Sequence, residues 1–517
     1  MTQNRRIILN IVATYARSLY VLAIGILCGR WTLMALGQTD YGLMGLIGGL
    51  VGFMTFFNGI LYSAIGRYYA YVVGEAQTTG EAGLEKCRAW FTTGVVVHTV
   101  LPTILVLVGY PIGVWAVEDF LTIPANRVHD CIWVWRTVCL SCYLGMVVVP
   151  VGAMYKAKQY IAELTIYTFV TVTLNACFQY YMITHPGVWM VPLAFWNCVT
   201  GLLPNIIISV RAFYIFPECR FRWKYVNCLA RLRELSGFAI WNTLPNIGCM
   251  FRGQGVAILV NKYLGPTFNA GMTVGNTLSS HTETLSGSLF GAFSPAICNA
   301  WGAGRLDFAR ALAFRAGKVG ALLMLIFAIP LSLEVDEVLH LWLKNPPDYA
   351  ALFCLYALAT TVIDKTSWGH CLAMNANGNI KWYAIVLSPA IMLTFVIAWI
   401  LLACGVGVHS IGIGMVSAVL VLDFGRLCFA QRIIGMNMSY WFRFVFAPLV
   451  VVVAIALGAG YSVRSMFEPS FWRVVVTTGT CLVAMLPLSW FIVLDKEERE
   501  YVRARAVRLL RLGGSHG

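Results

Sequence analysis

The sequence predicts an all-α integral membrane protein with about fourteen transmembrane helices. Hydrophobic residues make up 59% of the 517 residues and charged residues only 12%, whereas about a quarter of the residues are charged in a typical soluble domain. Long apolar windows separated by polar turns also recur along the whole chain, and each is long enough to cross a bilayer about 30 Å thick. No soluble domain of ordinary size is left over.

The apolar windows follow one another from the first residues to the C-terminal region. The first is read as a retained helix rather than a cleaved signal peptide, because no small-residue cleavage pattern follows Arg5 and Arg6 and the next window begins at once. The predicted spans are residues 11–36, 41–73, 89–116, 129–154, 161–183, 188–211, 237–263, 268–297, 310–334, 350–374, 381–404, 410–434, 441–463 and 471–494.

The sixth and seventh windows are separated by a basic connection, and the sequence pattern restarts after it. The segment Trp241–Leu264 opens the second half, and a shift of 228 positions aligns Leu36 with Leu264, Gly37 with Gly265 and Thr39 with Thr267, which predicts an internal repeat. The expected organisation is an N-terminal six-helix bundle (1–210), a cytoplasmic basic linker (211–236), a C-terminal six-helix bundle (237–436), two additional helices (437–494) and a basic cytoplasmic tail (495–517).

The net charge of +14 would suggest a nucleic-acid partner in a soluble protein, but its distribution here favours a membrane surface. Cations collect on the side of the amino terminus, in the linker and in the tail, so both termini are predicted to lie in the cytoplasm. The tail from Glu497 to Leu512 has a basic amphipathic pattern that would bind anionic membrane lipid. A plain solvated tail is an equally open interpretation.

Cysteine usage predicts neither a disulfide framework nor a metal site. The sixteen cysteines are scattered through the predicted spans. Cys139 and Cys142 form a C-x-x-C pair, but this pair lies in an apolar helix without a second ligand pair. No cofactor is expected.

Ionisable side chains inside the predicted spans are the main functional signal. Each costs about 2.5–3.5 kcal/mol in hydrocarbon unless it faces water or a partner. Four cations are of this kind, and a polar cavity lined by them would suit an anionic substrate, because guanidinium binds phosphate in a bidentate manner. They are Arg252, Arg30, Lys365 and Arg17.

Four further groups in the spans are candidates for coupling to a proton or sodium ion, or for gating: Asp364, Glu283, Asp423 and His281. Simpler interpretations stay open. Arg17 and Arg30 lie near span ends and could reach lipid headgroups, and Asp423 could form a local ion pair with Arg426 three residues later. Asp364 and Lys365 point about 100° apart on a helix, so they would face different partners. His281 could be a hydrogen-bonded core residue.

Five short segments carry a resemblance to a known family. They are Ala35-Leu36-Gly37 through Asp40-Tyr41-Gly42, Phe120-Leu121-Thr122-Ile123-Pro124, Phe216-Pro217-Glu218-Cys219-Arg220-Phe221, Arg252-Gly253-Gln254-Gly255 and Leu341-Trp342-Leu343. In their order and spacing the chain resembles the oligosaccharide flippase (polysaccharide transporter, Wzx-like) family of the multidrug/oligosaccharidyl-lipid/polysaccharide exporter superfamily.

The resemblance implies twelve helices in two bundles plus two more, alternating access, and no enzymatic activity. The substrate it implies is a polyprenyl-diphosphate-linked oligosaccharide, moved to the outer leaflet of the bacterial cytoplasmic (inner) membrane for surface polysaccharide biosynthesis. It also implies a central cationic cavity, which Arg30 and Arg252 would fit. One position departs from the pattern, because Met272 stands where the family often has an arginine.

Two rival functions remain at this stage. A cation-coupled multidrug exporter of the same fold would need a net acidic cavity, whereas the four candidate cations here outnumber the carboxylates Glu283, Asp364 and Asp423. A membrane glycosyltransferase or polymerase would need catalytic groups in an outer loop. Glu334, Asp336, Glu337 and His340 cluster in the longest outer connection, and we interpret them as a solvated rim.

Overall fold

The computed structural model describes residues 3–158, 160–227, 229–233, 247–302, 304–377, 381–500 and 503. Within these ranges the chain forms helices joined by turns, with no β-strand. The helices before the linker are α1 Gln3–Thr79, α2 Glu81–Trp115, α3 Val128–Val147, α4 Val149–Ala157, α5 Ile161–Thr184 and α6 Met190–Ile215.

The described residues after the linker also form helices joined by turns. Its helices are α7 Val256–Leu264, α8 Pro266–Gly302, α9 Leu306–Leu333, α10 Val335–Leu343, α11 Ala350–Asn377, α12 Lys381–Ala403, α13 His409–Ile434, α14 Met438–Trp441, α15 Ala447–Arg464 and α16 Phe471–Leu488. Single π turns extend or join several of them, at Ala116–Phe120, Phe251–Gly255, Phe442–Phe446 and Ser489–Val493.

Each predicted span coincides with helix over most of its described length, with a turn at residue 148 and non-helical residues at the ends of four spans, at 188–189, 334, 404 and 494. Residues 237–246 of the seventh predicted span lie outside the described part. Eight of the described helices are long and apolar enough to cross a membrane, or nine if α3 and α4, bent by 42°, count as one span. Helix α11 is not among the eight because Asp364 and Lys365 lower its mean hydropathy. The number of fourteen crossings and the five-part domain division stay predictions.

The chain turns at two glycines that the proposed repeat aligns. Gly37 interrupts α1 with φ 74° and ψ 173°, and Gly265 separates α7 from α8 with φ 102° and ψ 174°. Only glycine adopts this backbone region without steric cost. Two corners of the same unusual conformation at aligned positions are what a duplication would produce, and the repeat itself stays a prediction.

Two compact units make up the structure. Unit 1 comprises Met1–Thr273 and Ile391–Ile411, and unit 2 comprises Val274–Ala390 and Gly412–Gly517. Unit 1 has one core around Tyr69, Phe91 and Tyr155 and another around Ile47 and Trp135. In unit 2, α9, α15 and α16 surround a core that includes Trp441.

Glycines allow backbones to approach closely within each unit. In unit 1 a methyl group added to Gly42 would overlap the carbonyl oxygen of Pro266, and one added to Gly45 would lie 2.7 Å from Thr273 Oγ1. In unit 2 a methyl group on Gly317 would lie 2.8 Å from the carbonyl oxygen of Thr366, and one on Gly369 would overlap that of Ala313. Small residues at such contacts are the usual means of close packing in membranes.

The basic linker forms a surface helix only in part. The sequence pattern predicts a helix from Trp223 to Leu235, but the chain forms a single 3-10 turn at Trp223–Tyr225 and no regular helix continues at residues 226 and 227. The Arg222 amide and the Tyr225 hydroxyl both donate hydrogen bonds to side chains of α2 at this turn. Residues 229–233 are helical again, and 234–246 lie outside the described residues.

The contact between α9 and α11 gives a test of the packing. We expect Gly369→Val to lower the free energy of unfolding by about 1–3 kcal/mol, because the added side chain has no room beside the Ala313 backbone. Thermal unfolding in detergent measures the change. Gly458→Ala is the matched control, since nothing lies within 4 Å of its added methyl group among the described atoms. Equal stability of the two variants would contradict this packing.

Candidate functional site

A group of charged side chains lies inside unit 2, contributed by three helices. Helix α8 carries Glu283, α11 carries Asp364 and Lys365, and α13 carries Asp423 and Arg426. Each lies near the middle of its helix, many residues from either end at 1.5 Å per residue. We call this set of five residues the ionic network. Four of its members were predicted as binding or coupling residues from the sequence.

Lys365 connects α11 to α8. Its ammonium Nζ lies 2.5 Å from Glu283 Oε1 and 3.4 Å from Asp364 Oδ2. Only 3% of the Lys365 side chain is exposed, whereas 52% of the Glu283 side chain is. Lys365 is therefore a neutralised cation in this structure, and it would reach a substrate phosphate only after Glu283 released it.

Arg426 connects α13 to α11. Its Nη1 atom lies 2.7 Å from Asp364 Oδ1 and 3.2 Å from Asp423 Oδ1, and it donates to Ser367 Oγ at 3.0 Å. Ser367 in turn donates to Asp423 Oδ1 at 2.7 Å. The local Asp423–Arg426 pair expected from the spacing is present, and Arg426 also joins a second helix.

Trp368 provides an aromatic surface for both cations of the ionic network. Lys365 Nζ lies 4.8 Å from the centre of its ring, and Arg426 Cζ lies 5.2 Å from it. A cation at this distance is attracted by the negative face of the ring, and more strongly where water is excluded. The ring therefore stabilises the positions of both cations.

The ionic network contains one more carboxylate than cations. Glu283, Asp364 and Asp423 face Lys365 and Arg426. Taking each ion out of water costs several kcal/mol, which pairing repays only with good geometry. Within this set of five residues, a carboxylate in excess could bind a proton or another cation.

Several polar atoms at or near this site have no hydrogen-bond partner among the described residues. They include Asp423 Oδ2, Arg426 Nε, His281 Nε2 and both ring nitrogens of His370. His281 lies half-buried on α8, two residues before Glu283. His370 packs its ring against Phe314. The sequence identified His281 and overlooked Ser367 and His370, although both follow Asp364 at three-residue spacing on the same helix.

The other three predicted cations belong to unit 1. Arg252 lies in the π turn Phe251–Gly255 and is exposed, and no ion pair involves it in the part of the chain that the structure describes. The neighbouring Gln254 fits against Gly49 and Gly52 of α1, which fixes the turn. Arg17 and Arg30 lie on α1 and are half-buried.

Two charged groups that we assigned otherwise or overlooked are structural. Glu334 is not part of a solvated rim: it is 1% exposed, because it bonds to Arg473 Nη2 at 2.9 Å and to Thr477 Oγ1 at 2.9 Å. Arg473, in the first turn of α16, escaped notice because it stands near a span end. Elsewhere in unit 2, Lys318 bonds to Glu498 at 3.0 Å.

Removing one cation from the ionic network should destabilise the protein, because its carboxylates then stay buried without a counter-charge. We expect Arg426→Met to lower the free energy of unfolding by about 3–5 kcal/mol, because Asp364 and Asp423 lose their cation. Adding Asp364→Asn should restore part of this loss, with an interaction energy of about 0.5–3 kcal/mol in a double-mutant cycle. Unfolding in detergent gives the values. Arg464→Met, which breaks no ion pair among the described residues, should stay within about 0.5 kcal/mol, and additive effects of the first two changes would refute the pairing.

Comparisons with known proteins agree on the fold. No family model matches the sequence. The uncharacterized membrane protein EpsK of Bacillus subtilis (strain 168) is 21% identical over 492 residues, covering 91% of this chain and 92% of that protein. A structure of the lipid II flippase MurJ in an inward closed conformation covers 93% of this chain and 98% of its own, with a TM-score of 0.66 and 12% identity.

A second solved structure points to the same group. An inward-facing multidrug resistance MATE family transporter of the MOP superfamily covers 81% of this chain and 94% of its own, with a TM-score of 0.56 and 13% identity. Both of these similar structures are transporters. The chain therefore has the multi-helix membrane fold shared by MurJ and MATE transporters.

Proposed function

We propose that this protein is a flippase that moves a polyprenyl-diphosphate-linked oligosaccharide from the cytoplasmic to the outer leaflet of a bacterial inner membrane. The MurJ fold supports this proposal, since that similar structure is a lipid II flippase and matches nearly the whole chain. The transported lipid would have a diphosphate headgroup, a glycan and an isoprenoid tail. The protein would act by alternating access rather than as an enzyme, in the service of surface polysaccharide biosynthesis.

Arg252 is the observation that carries the proposal. It is a cation in a predicted span, it is exposed, and it has no carboxylate partner among the described residues. An isolated arginine in such a segment costs about 2.5–3.5 kcal/mol against lipid, so it is kept where it meets water or an anion. A diphosphate matches guanidinium in both charge and geometry.

Arg30 and Arg17 would assist Arg252 in holding the diphosphate. Lys365 would join them conditionally, because its ammonium is bound to Glu283. Protonation of Glu283, or its capture of a sodium ion, would remove the closer of the two carboxylate partners of Lys365 and make that cation more available to phosphate. In this scheme the binding of the coupling ion to Glu283 favours the binding of the substrate headgroup to Lys365, which links ion movement to substrate movement.

Asp364, Asp423 and His281 would complete the coupling site. The excess carboxylate of the ionic network and the unpartnered Asp423 Oδ2 atom support a site that takes up one extra cation. Sugar rings would stack on exposed aromatic side chains such as Tyr263 and on Trp368.

One observation favours a second function, a cation-coupled exporter of organic cations. The ionic network is acidic by one charge, and a MATE transporter shares the fold. Such a protein would need carboxylates rather than arginines at its substrate site, so Arg252 would be dispensable. An enzyme acting on the same lipid is less well supported, since Glu334 of the outer cluster is occupied by Arg473 and Thr477.

Transfer of a fluorescent polyprenyl-diphosphate oligosaccharide between leaflets of proteoliposomes tests the substrate. We expect Arg252→Ala to lower the transfer rate about 10–100-fold, because a hydrogen bond to a charged group is worth about 1.5–3 kcal/mol. Arg252→Lys should keep part of the activity, and Arg464→Ala should keep all of it. Uptake of an organic cation without lipid transfer would instead assign the protein to the exporter class.

Ion coupling is tested by Glu283→Gln, which removes the charge that holds Lys365. Lipid transfer by the wild type should rise at least about fivefold under an imposed proton or sodium gradient, and transfer by the variant should not respond to either. The exposed Glu468→Gln is the matched control. A variant that responds like the wild type would remove Glu283 from the coupling site.

A further inference from the structure

The connection that follows α6, residues 216–225, packs against other parts of unit 1. Phe216 and Cys219 are buried, and the ring of Phe216 meets that of Tyr155 at 5.0 Å between centres. Arg88 Nε donates to the carbonyl oxygen of Pro217 at 3.1 Å, and the Arg222 amide donates to Thr92 Oγ1 at 3.1 Å. The backbone here therefore has a fixed shape rather than that of a free loop.

A single carboxylate anchors the end of this connection. Glu85 of α2 bonds to Arg88 at 2.8 Å, to the Tyr225 hydroxyl at 2.8 Å and to Lys224 at 2.9 Å. The hydrogen bond to Glu85 raises the pKa of Lys224 above its usual range, so Lys224 remains a cation. Lys158 similarly bonds to Glu218 at 2.5 Å. Glu85 and Glu218 are thus each already paired with a lysine.

The exposed side chains of this connection are aromatic and cationic. Trp223 is 83% exposed, with its ring edge-on to Phe221, and Arg220 and Arg222 beside it are exposed. Neither arginine side chain forms an ion pair with any of the described residues. We call Arg220, Arg222 and Trp223 the linker patch. Tyr214 and Leu229, exposed by 87% and 79%, flank it.

This combination is not that of an ordinary water-facing loop. Large apolar side chains so exposed are unfavourable in water, whereas tryptophan beside cations is typical of the headgroup region of a bilayer. The linker patch directly follows a helix that is long and apolar enough to span a membrane. At a lipid surface the indole ring of Trp223 would be buried away from water, and an anionic headgroup would pair with the two arginines.

We propose that the linker patch is a preformed binding site for an anionic phospholipid, with Arg220 and Arg222 on the phosphate and Trp223 among the headgroups and upper acyl chains. Inorganic phosphate would lack the apolar part that the ring requires. The site is independent of the proposed transport function, because it needs neither Arg252 nor the ionic network.

Photo-crosslinking identifies the occupant. A benzophenone amino acid replaces Trp223 in the full chain, which is reconstituted in vesicles of equal parts phosphatidylglycerol and phosphatidylcholine, and mass spectrometry identifies the attached lipid. We expect phosphatidylglycerol adducts to exceed phosphatidylcholine adducts at least about fivefold, as each cation near an anionic surface contributes about that factor. The same probe at Trp472, another highly exposed tryptophan, should give the bulk ratio.

Variants separate headgroup binding from simple burial in the interface. Arg220→Gln with Arg222→Gln should reduce the adduct ratio to the bulk value without lowering the melting temperature, and the two Arg→Lys changes should retain part of the enrichment. A bulk ratio at position 223 in the wild type, or no lipid adduct, would overturn the proposal. Loss of the phosphatidylglycerol adduct on adding a polyprenyl diphosphate would assign the patch to that lipid instead, and inorganic phosphate should have no effect.

Discussion

The cost of placing ions in apolar surroundings constrains unit 2 more than any other factor. Arg426 offsets this cost by pairing with both Asp364 and Asp423, and Ser367 donates a further hydrogen bond to Asp423. Lys365 meets it by reaching Glu283 on another helix. Because each bond tolerates little displacement, these contacts fix the register of α8, α11 and α13. The same principle acts at two further ion pairs of unit 2, in which Glu334 binds Arg473 and Lys318 binds Glu498.

Unit 1 handles polarity in another way. Its helices approach through small residues, as Gly42 and Gly45 do against the start of α8, and its buried core is built of aromatic and aliphatic side chains. Arg252 receives no compensating carboxylate in the described part of the chain. Unit 1 thus holds an exposed arginine, whereas the charged side chains inside unit 2 are paired with one another.

Much of this architecture could be predicted from the sequence, because apolar windows and the 1.5 Å rise of a helix decide where spans fall. The rule that charges are rare in membranes also identified Glu283, Asp364, Lys365 and Asp423. Pairing could not be predicted in the same way, since Lys365 and Glu283 lie on different helices and no local spacing joins them. Glu334 was misassigned for the same reason: its partner Arg473 comes 139 residues later.

The composition of unit 1 has a consequence for biosynthesis. Residues 391–411 belong to this unit although they follow most of unit 2 in the chain, and Phe395 packs its ring 5.6 Å from that of Phe251. On the ribosome, the surface around Phe251 and Gly255 stays uncovered until the segment that completes it has been synthesised. Unit 1 therefore cannot reach its final packing co-translationally from its own N-terminal part. A nascent chain that ends before residue 391 would leave unit 1 incomplete in the membrane. The helix surface around Phe251 would then be uncovered, and quality-control proteases could recognise it.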